Sequence, residues 1–161
     1  MAKAEELKIR EFRETDERLV QEFFDNFDEE SVRFFNSGGG NTRFALKAVR
    51  NELQNSKFWM AEDMTESGPK MAGYVFLCNL NFCVPWLGIA VGSEWKGKGL
   101  GTILMRHAID YCKNGGYGGI TLTTVLDNYV AQHLYEKHGF ERMGFSKNQK
   151  EYTYILNFSK Q

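Results

Sequence analysis

Residues 84–102 read VPWLGIAVGSEWKGKGLGT and decide the fold of this chain. The apolar run that ends at Val91 predicts a buried strand, and the amphipathic positions from Leu100 onward predict a helix. Three glycines, Gly97, Gly99 and Gly101, occupy alternate positions where the chain passes from the strand into the helix. Such glycines leave backbone N–H groups uncovered, and the first turn of a helix has no internal partners for its own N–H groups. The stretch therefore predicts an anion site, with positive charge supplied by Lys96 and Lys98.

Two familiar phosphate loops do not fit this stretch. The P-loop of nucleoside-triphosphate enzymes would need Ser or Thr to hold magnesium where this chain has Gly99. The dinucleotide motif needs its third glycine at position six, but counting from Gly97 that position is Thr102. A nucleotide-triphosphate enzyme therefore ranks third among the functional interpretations. A tight turn without any ligand stays open as the structural alternative.

A second pattern begins at Ile120, where a β-branched run predicts another strand. Residues 127–140 then read DNYVAQHLYEKHGF. We expect Asn128 or the preceding aspartate to cap a helix that the glycine of this run terminates. In such a helix Asn128, Ala131 and Tyr135 lie at i, i+3 and i+7 on a single stripe. One polar cap, one small residue and one phenol therefore face the same way.

Together the two patterns resemble the GNAT superfamily of N-acetyltransferases. The first motif of that family is Arg or Gln, two residues, Gly, one residue, then Gly or Ala. Here Lys96, Gly99 and Gly101 take those places. Lysine keeps the charge of arginine but not its bidentate geometry. The Asn-x-x-Ala-x-x-x-Tyr-Glu-Lys-x-Gly-Phe run from Asn128 is similar to the family's later motif, and the two follow in the expected order and separation.

The resemblance implies a fold and a reaction. The implied fold is α/β (α+β), a single acetyltransferase domain over residues 1–161. Its central sheet is mixed, mostly antiparallel and six- to seven-stranded, with helices on both faces and a splayed central strand pair. The implied enzyme is an N-acetyltransferase that moves the acetyl group of acetyl-CoA to a primary amine by direct attack in a ternary complex. The alternative is a non-catalytic acyl-CoA-binding or sensing module on the same fold.

Site residues follow from the resemblance position by position. Backbone amides of the glycine loop are expected to bind the pyrophosphate of acetyl-CoA, and the end of the preceding strand is expected to pair with the pantetheine arm. Tyr135 matches the family's tyrosine near the thioester sulfur and is the expected catalytic acid. The expected cofactor-binding residues are Ile89, Ala90, Val91, Lys96, Gly97, Lys98, Gly99, Leu100, Gly101, Thr102, Asn128, Ala131 and Tyr135.

Composition limits the other classes of function. With 161 residues, 42% of them hydrophobic, the chain predicts one domain with a sizeable core. Residues 1–8 lack an apolar stretch, so we expect a cytoplasmic protein with no secretory signal and no membrane partner. A net charge of −1 gives little support to nucleic acid binding. The 3 cysteines and 3 histidines lack the spacing of a zinc site, so no metal is expected.

Apolar spacing and turn residues predict the order of the elements. We expect a strand at 8–12, a helix capped by Thr15 or Asp16, a helix over 42–55, strands at 58–62, 71–80 and 84–91, a helix over 100–113, a strand near 120, a helix near 130 and two strands at 142–145 and 151–158. The glycines at 38–40 and the pair Gly68-Pro69 are expected breaks. Gly88, inside the central strand, predicts a bulge or a close ligand.

The general base is left open by the sequence. Many members of the family have a glutamate on the central strand, whereas residues 86–89 read WLGI here. Carboxylates elsewhere are Glu62, Asp63, Glu94 and Asp127, and each also fits a solvated side chain or a helix cap. Covalent catalysis by a cysteine is disfavoured, because no histidine is placed to activate one.

The acceptor is expected to be an amine-bearing small molecule, peptide or protein. Residues 11–30 contain nine acids and two arginines among several phenylalanines, and the resemblance implies that this region forms one wall of the acceptor site. Glu22, Asp25 and Asp28 there would suit a cationic amine, such as a polyamine, an amino sugar, a peptide N-terminus or a protein lysine. A solvated helix face gives the same pattern. A homodimer and the use of other acyl groups are also left open.

Overall fold

Strands drawn from the described residues, 2–35 and 41–160 of the computed structural model, form one mixed sheet of seven. The strands are β1 (Lys8–Glu11), β2 (Lys57–Thr65), β3 (Gly68–Cys78), β4 (Trp86–Val91), β5 (Gly119–Val125), β6 (Glu141–Phe145) and β7 (Glu151–Asn157). Their spatial order is β1-β2-β3-β4-β5-β7-β6, and every neighbouring pair is antiparallel except β4 and β5. The expected mixed, mostly antiparallel sheet is confirmed.

Five α-helices lie between these strands in the described part of the chain. They are α1 (Glu17–Asp25), α2 (Glu29–Phe35), α3 (Asn41–Val49), α4 (Leu100–Asn114) and α5 (Tyr129–Lys137). None of the helices in residues 2–35 and 41–160 offers an apolar stretch long enough to cross a lipid bilayer.

The helix α2 is an addition to the predicted order of elements. The side chain of Asp28 closes its first turn, because it accepts a hydrogen bond from the backbone N–H of Ser31 at 2.7 Å. This arrangement is a helix N-cap, and Asp-x-x-Ser is the local signal that marks it. The break expected at glycines 38–40 lies outside the described residues.

Two of the predicted boundaries are wrong. The helix α3 ends at Val49, well before residue 55, because Asn51 adopts a left-handed backbone with a φ of 59° that a helix cannot continue. Gly68 and Pro69 do not form the turn between β2 and β3. They are the first residues of β3 and already pair with the end of β2.

Hydrophobic side chains pack on both faces of the sheet, so the expected two-sided arrangement of helices is confirmed. The helix α4 covers one face, where its apolar stripe is buried against β3, β4 and β5. The helices α1 and α3 cover the other face. The buried residues that these helices contribute include Leu100, Leu104, Ala108 and Cys112 on the first face and Leu19, Val20, Phe23, Phe24, Ala45 and Val49 on the second.

The side chains of β4 alternate between these two faces. Leu87 packs in the α4 core, whereas Trp86 and Ala90 pack against the core beneath α1 and α3. Gly88 falls on the second face, in regular register with Phe76 of β3. A Cβ on Gly88 would overlap the Phe76 ring. The ring of the neighbouring strand accounts for this glycine, and the bulge expected there is wrong.

The strands β4 and β5 meet at one end and then diverge. Among the described residues they share one registered pair, Trp86 with Thr121, supported by a 3.0 Å hydrogen bond from the Thr121 N–H to the Pro85 carbonyl. In contrast, β4 pairs with β3 at six positions and β5 with β7 at seven. Beyond the shared pair, the facing backbone N–H and C=O groups of β4 and β5 do not pair across the gap in the described residues. These groups are open to other hydrogen-bond partners. The expected splayed strand pair is confirmed, and it opens a gap in the centre of the sheet.

A buried ion pair joins β1 to β2 and to the start of α1. Arg10 donates two hydrogen bonds to the Asp16 carboxylate, at 2.8 and 2.9 Å, and one to Glu62 at 2.8 Å. Asp16 also accepts a 2.6 Å hydrogen bond from the backbone N–H of Arg13. Asp16 occupies the N-cap position of α1, as one of the two expected caps, but its side chain makes no capping hydrogen bond to that helix because Arg10 and the Arg13 N–H engage it.

Candidate active site

The gap between β4 and β5 opens into a cavity of about 840 Å³, a size typical of ligand sites. Residues of α2 and α3 line one side of it, and residues of α4 and α5 line the other. Every expected cofactor-binding residue except Lys98 is among the described residues of the cavity wall, namely Ile89, Ala90, Val91, Lys96, Gly97, Gly99, Leu100, Gly101, Thr102, Asn128, Ala131 and Tyr135.

Gly97 and Gly99 shape the loop that leads into α4. Both have positive φ values, 73° and 86°, which favour glycine, and a Cβ on either would meet no protein atom within 4 Å. The loop therefore faces open space. The N–H groups in the first turn of α4 have no helical acceptor, and Leu100 to Thr102 line the cavity beside them. Loop and helix end form a cradle that fits a phosphate anion.

Gly101 also sets the distance between α4 and α5. A Cβ on this residue would lie 3.3 Å from Cδ2 of Leu134, closer than an ordinary van der Waals contact. The absence of a side chain therefore lets the two helices approach each other. The two helices together enclose the side of the cavity that contains the phosphate cradle.

Lys96 connects the glycine loop to the segment before α2. Its Nζ lies 3.1 Å from Oδ2 of Asp28, and the Ser93 hydroxyl donates to the same oxygen at 3.2 Å. Hydrogen bonds from the backbone and side chain of Ser31, followed by the one from Lys96, hold the pKa of Asp28 well below its usual range. The carboxylate is therefore charged near neutral pH. It partly neutralises the lysine beside the cradle.

The second lysine of the loop points elsewhere. Lys98 donates from Nζ to the Glu94 carbonyl at 2.7 Å, and the same atom lies 5.5 Å from the centroid of the Trp95 ring. His133 and Lys137, which the sequence analysis did not single out, line the cavity from exposed positions on α5. Because they lie four residues apart on one helix, they face the same side. Lys137 thereby adds a cation to the cradle side of the cavity.

The helix α5 presents Asn128, Ala131 and Tyr135 to the cavity, as their spacing predicts. Asn128 is the N-cap, and its side-chain oxygen accepts a 3.2 Å hydrogen bond from the Ala131 N–H. Tyr135 is 7% exposed, and its ring centroid lies 5.9 Å from that of Phe140 and 5.8 Å from that of Tyr154. Burial holds the pKa of Tyr135 well above its usual value. The phenol is therefore protonated at neutral pH and can donate.

A polar network beneath α5 fixes the helix that carries Tyr135. Arg142 donates to the Tyr154 hydroxyl and to the Gln132 side chain, at 3.1 Å in both cases. The Tyr154 hydroxyl in turn donates to Glu136 at 2.8 Å. Because Tyr154 also contacts the Tyr135 ring, the network orients the phenol. The sequence patterns did not reveal it, since its members come from one helix and two strands.

The carboxylates that the sequence offers as general bases are held elsewhere. Glu62 and Asp127 each accept a 2.8 Å hydrogen bond from an arginine. Neither they nor Asp63 and Glu94 are among the described residues that line the cavity. A base at one of these positions would therefore have to act from outside the cavity wall.

Two other carboxylates do line the cavity, Glu30 of α2 and Glu151 of β7. No sequence pattern singles out either residue as a candidate for the site. Glu30 comes to the cavity on a helix that was not predicted. Glu151 comes there because β7 pairs with β5, where it lies opposite Val125. Such long-range pairing leaves no local pattern.

An aromatic wall bounds the cavity on the face of α1 and α3. It consists of Phe27, Phe34, Phe44, Phe76 and Trp86. Of the acids expected at this wall, Glu22, Asp25 and Asp28 are not among its described residues. The side chain of Glu22 pairs with Arg18 at 2.8 Å, and that of Asp25 accepts from Gln21 at 2.9 Å. The wall is therefore more apolar than the acidic sequence around it indicates.

Buried thiols are poor candidates for nucleophiles in this fold. Burial raises the pKa of Cys78 to about 11 and that of Cys112 to about 12. Cys83 is exposed and is not among the described residues of the cavity wall. Within residues 2–35 and 41–160, no three His, Cys, Asp or Glu side chains come together as metal ligands would.

Known proteins share parts of this sequence. The L-amino acid N-acetyltransferase AaaT of Escherichia coli (strain K12) is 43% identical over 61 residues, which are 37% of this chain and 38% of that protein. N-alpha-acetyltransferase 30 of Schizosaccharomyces pombe is 36% identical over 69 residues, 43% of each chain. The chain therefore spans about two fifths of the length of these curated relatives.

Solved structures share the fold over nearly the whole chain. The spermidine N-acetyltransferase from Vibrio cholerae, solved in complex with CoA and spermine, superposes with a TM-score of 0.76 at 20% identity. The superposition covers 97% of this chain and 98% of that chain. At this identity the likeness establishes the fold alone.

A family model extends the match beyond the short aligned stretches. The model is described as the acetyltransferase (GNAT) family, and it matches residues 8–140, which run from β1 to just past α5. That range contains both motifs and the splayed strands between which the cavity opens. The chain belongs to the acetyltransferase (GNAT) family.

Proposed function

We propose that this protein transfers the acetyl group of acetyl-CoA to a primary amine by direct attack in a ternary complex. The observation that carries the proposal is the cavity, because the glycine cradle, the splayed edge of β4 and the buried phenol of Tyr135 all line one space. Membership of the GNAT family supports the same reaction, since the relatives named above are N-acetyltransferases.

Acetyl-CoA would bind on the α4 and α5 side of the cavity. The open cradle at Gly97 and Gly99 suits a pyrophosphate, which backbone N–H groups would hold with Lys96 as the neighbouring cation. The free edge of β4 from Ile89 to Val91 offers main-chain groups to the amides of the pantetheine arm, much as an added strand would. The remaining proposed contacts are the backbone N–H of Lys98, whose side chain points elsewhere, together with Leu100, Gly101, Thr102, Asn128, Ala131 and Tyr135.

The chemical step needs a neutral amine and a carbonyl carbon held in line. The amine nitrogen attacks the thioester carbon, a C–N bond forms, and the carbonyl electrons move to oxygen. Collapse restores the C=O bond and breaks the C–S bond. Orientation of the two reactants in one cavity lowers the barrier by up to about 7–11 kcal/mol. A backbone N–H on the free edge of β4 would stabilise the oxyanion.

Tyr135 is the proposed general acid for the leaving group. Its phenol would give a proton to the departing CoA sulfur and then regain the proton that the attacking nitrogen loses as the amide forms. A thiolate with a pKa of about 8.5 leaves without full protonation, so the contribution is modest, about 10- to 1000-fold in rate. Because burial raises the pKa of Tyr135, the group stays protonated over the working pH range.

The second candidate function is an acyl-CoA-binding or sensing module without catalysis. The observation that favours it is Gly88, which leaves the central strand without a carboxylate. Such a module would bind acetyl-CoA through the same cradle. It would differ from the enzyme in one property, since no amine would be acetylated.

Several finer proposals accompany the reaction. Residues 1–161 would form a single acetyltransferase domain, which is supported by one sheet that takes strands from residues 8–157. The acceptor would be a small molecule, a peptide or a protein that enters past the aromatic wall. A cytoplasmic location, the absence of a metal, the absence of nucleic acid and membrane partners and the oligomeric state stay predictions.

The experiment is a panel of primary amines with acetyl-CoA, followed through the release of free thiol. The panel contains 2-phenylethylamine, spermidine, an amino acid amide and a lysine peptide. We expect at least one amine to raise thiol release above the rate with acetyl-CoA alone. Tight binding of acetyl-CoA with no amine-dependent release across the panel would contradict the enzyme and favour the binding module.

A further inference from the structure

Glu151 enters the cavity from a fixed backbone. It is the first residue of β7 and pairs with Val125 of β5. Its carbonyl accepts a 2.7 Å hydrogen bond from the Ser146 N–H, and its own N–H donates to the Ser146 hydroxyl at 3.2 Å. The residue is half-buried, and among the described residues no hydrogen bond or ion pair holds its carboxylate. The carboxylate is therefore available to a ligand in the cavity.

The carboxylate lies on the opposite face of the sheet from Tyr135. Tyr154, also on β7, contacts the Tyr135 ring, and Tyr154 follows Glu151 by three residues along the strand. Because side chains alternate along a strand, that odd separation puts Glu151 on the other face. This is the face of the aromatic wall. The cavity thus has a phenol on one side of the splayed strands and a carboxylate on the other.

We propose that Glu151 receives the ammonium group of the acceptor and takes its proton before attack. The inference rests on the proposed acetyl transfer and assigns the role that no side chain of β4 fills. Glu30, the other carboxylate of the cavity wall, is exposed on the short helix α2, whereas Glu151 is half-buried. Glu151 is therefore the better placed of the two.

The proton balance of the step is simple. The acceptor arrives as R–NH3⁺ and gives one proton to the Glu151 carboxylate, directly or through one water, which leaves R–NH2. The amine attacks the thioester, the C–S bond breaks, and the thiolate takes the proton of Tyr135. The second proton of the attacking nitrogen leaves with the collapse of the intermediate and restores the phenol. Glu151 then releases its proton to solvent, and the net products are the amide, CoA thiol and H⁺.

The surroundings of Glu151 indicate the class of acceptor. Among the described cavity residues of β5, Thr123 shares the face of Glu151, and Glu30 is the other titratable group on that side. The remaining titratable groups of the cavity wall, Lys96, His133, Tyr135 and Lys137, belong to the cofactor side. One ammonium group on an aromatic or alkyl body fits this combination of a single fixed carboxylate and five aromatic rings.

The test compares Glu151→Gln with the matched control Glu66→Gln, an exposed glutamate in the turn between β2 and β3 that is remote from the cavity. The probe is 2-phenylethylamine, and kcat/KM is measured from about pH 6.5 to 9.5, with CoA affinity measured by titration. We expect Glu151→Gln to lower kcat/KM about 100-fold at neutral pH. As the pH rises, the kcat/KM of Glu151→Gln should increase about tenfold per pH unit, because only the free amine, whose conjugate acid has a pKa of about 10, can react.

Three outcomes would overturn the inference, and they differ in what else they imply. If the wild type acetylates the probe and Glu151→Gln keeps its rate and pH profile, the inference fails and the acetyl transfer stands. A loss of CoA affinity that matches the loss of rate would make Glu151 a structural residue and also refute the inference. If the wild type acetylates no amine in the panel, the proposed function and the inference fail together.

Discussion

The Nζ of Lys96 and the Oδ2 of Asp28 lie 3.1 Å apart, so the cation beside the phosphate cradle already has a carboxylate partner. Asp28 also caps α2, the helix that carries Glu30 and Phe34 to the cavity. A single carboxylate therefore links the glycine loop to α2. A phosphate group in the cradle would compete with Asp28 for the lysine.

Replacement of Asp28 by Asn should strengthen the binding of CoA. Asn keeps the helix cap but removes the charge that competes for Lys96, and an exposed pair of this kind contributes about 0.2–1 kcal/mol. We expect an affinity gain of about threefold, measured by calorimetric titration at low salt. The control is Asp25→Asn, which removes a nearby charge that contacts Gln21 and not Lys96. A weaker affinity in Asp28→Asn would show that the ion pair supports the cradle.

Replacement of Gly99 by Val should weaken CoA binding strongly and leave the protein folded. The Cβ of the new side chain would meet no neighbouring protein atom within 4 Å, and the side chain would fill space that we propose for the phosphate. Loss of charge-assisted hydrogen bonds should weaken the affinity about 10- to 100-fold. Left-handed strain should lower stability by about 1–2 kcal/mol.

The matched control for Gly99 is Gly68→Val. Gly68 has a φ of 104°, its Cβ would also meet open space, and it is not among the described residues of the cavity wall. The two variants should therefore lose similar stability, measured by urea unfolding, while CoA affinity falls in Gly99→Val alone. Equal CoA affinity in both variants would remove the phosphate role of the loop.

Replacement of Tyr135 by Phe should lower kcat with little change in the affinity for acetyl-CoA. The ring still packs against Phe140 and Tyr154, so the change isolates the hydroxyl. We expect kcat to fall about 10- to 1000-fold when chemistry limits turnover. The control is Tyr129→Phe on the same helix, where the side chain is 73% exposed and full activity is expected. Wild-type kcat in Tyr135→Phe would rule out the acid role.

Replacement of Asp16 by Asn should destabilise the fold most strongly near neutral pH. Burial alone would raise the pKa of Asp16, but hydrogen bonds from Arg10 and from the Arg13 N–H outweigh it and lower the pKa. A depressed folded-state pKa means that the stabilisation is complete above pH about 4 and is lost as the pH falls through the folded value. Breaking this buried pair should cost about 3 kcal/mol at pH 7.

Urea unfolding at two pH values checks the Asp16 prediction. The difference in the free energy of unfolding between wild type and Asp16→Asn should shrink from pH 7 toward pH about 2, because the wild-type carboxyl is then protonated. Glu17→Gln, which removes an exposed pair with Arg50, should leave stability almost unchanged. A pH-independent difference for Asp16→Asn would mean that the charge of the carboxylate is not what stabilises the fold.

Local patterns were sufficient for the side of the cavity that we propose for the cofactor. The apolar run to Val91, the glycines before Leu100 and the stripe from Asn128 to Tyr135 each lie within one element, so their spacing predicts their placement. The direction of the two loop lysines escaped this reasoning, as did the contribution of His133 and Lys137. The contact of Lys96 with Asp28 joins residues far apart in sequence, and Lys98 turns back to the loop itself.

The acceptor side could not be predicted in the same way. The ring of Phe76 explains Gly88, and the pairing of β7 with β5 brings Glu151 to the cavity. Both relationships join residues of different strands, so no periodic pattern within one segment of the sequence reveals them. The acidic stretch before α2 pointed to a charged wall, yet its side chains pair with one another or with neighbouring basic and polar groups, while phenylalanines face the cavity.

The most direct test of the account is an initial-velocity study with acetyl-CoA and 2-phenylethylamine as varied substrates. Direct attack requires both substrates in the cavity at once, so double-reciprocal plots should intersect, and the acetyl group should be recovered on the amine with none on the protein. Parallel lines together with an acetylated cysteine would contradict the account, because they would mean that the acetyl group passes through a covalent enzyme intermediate.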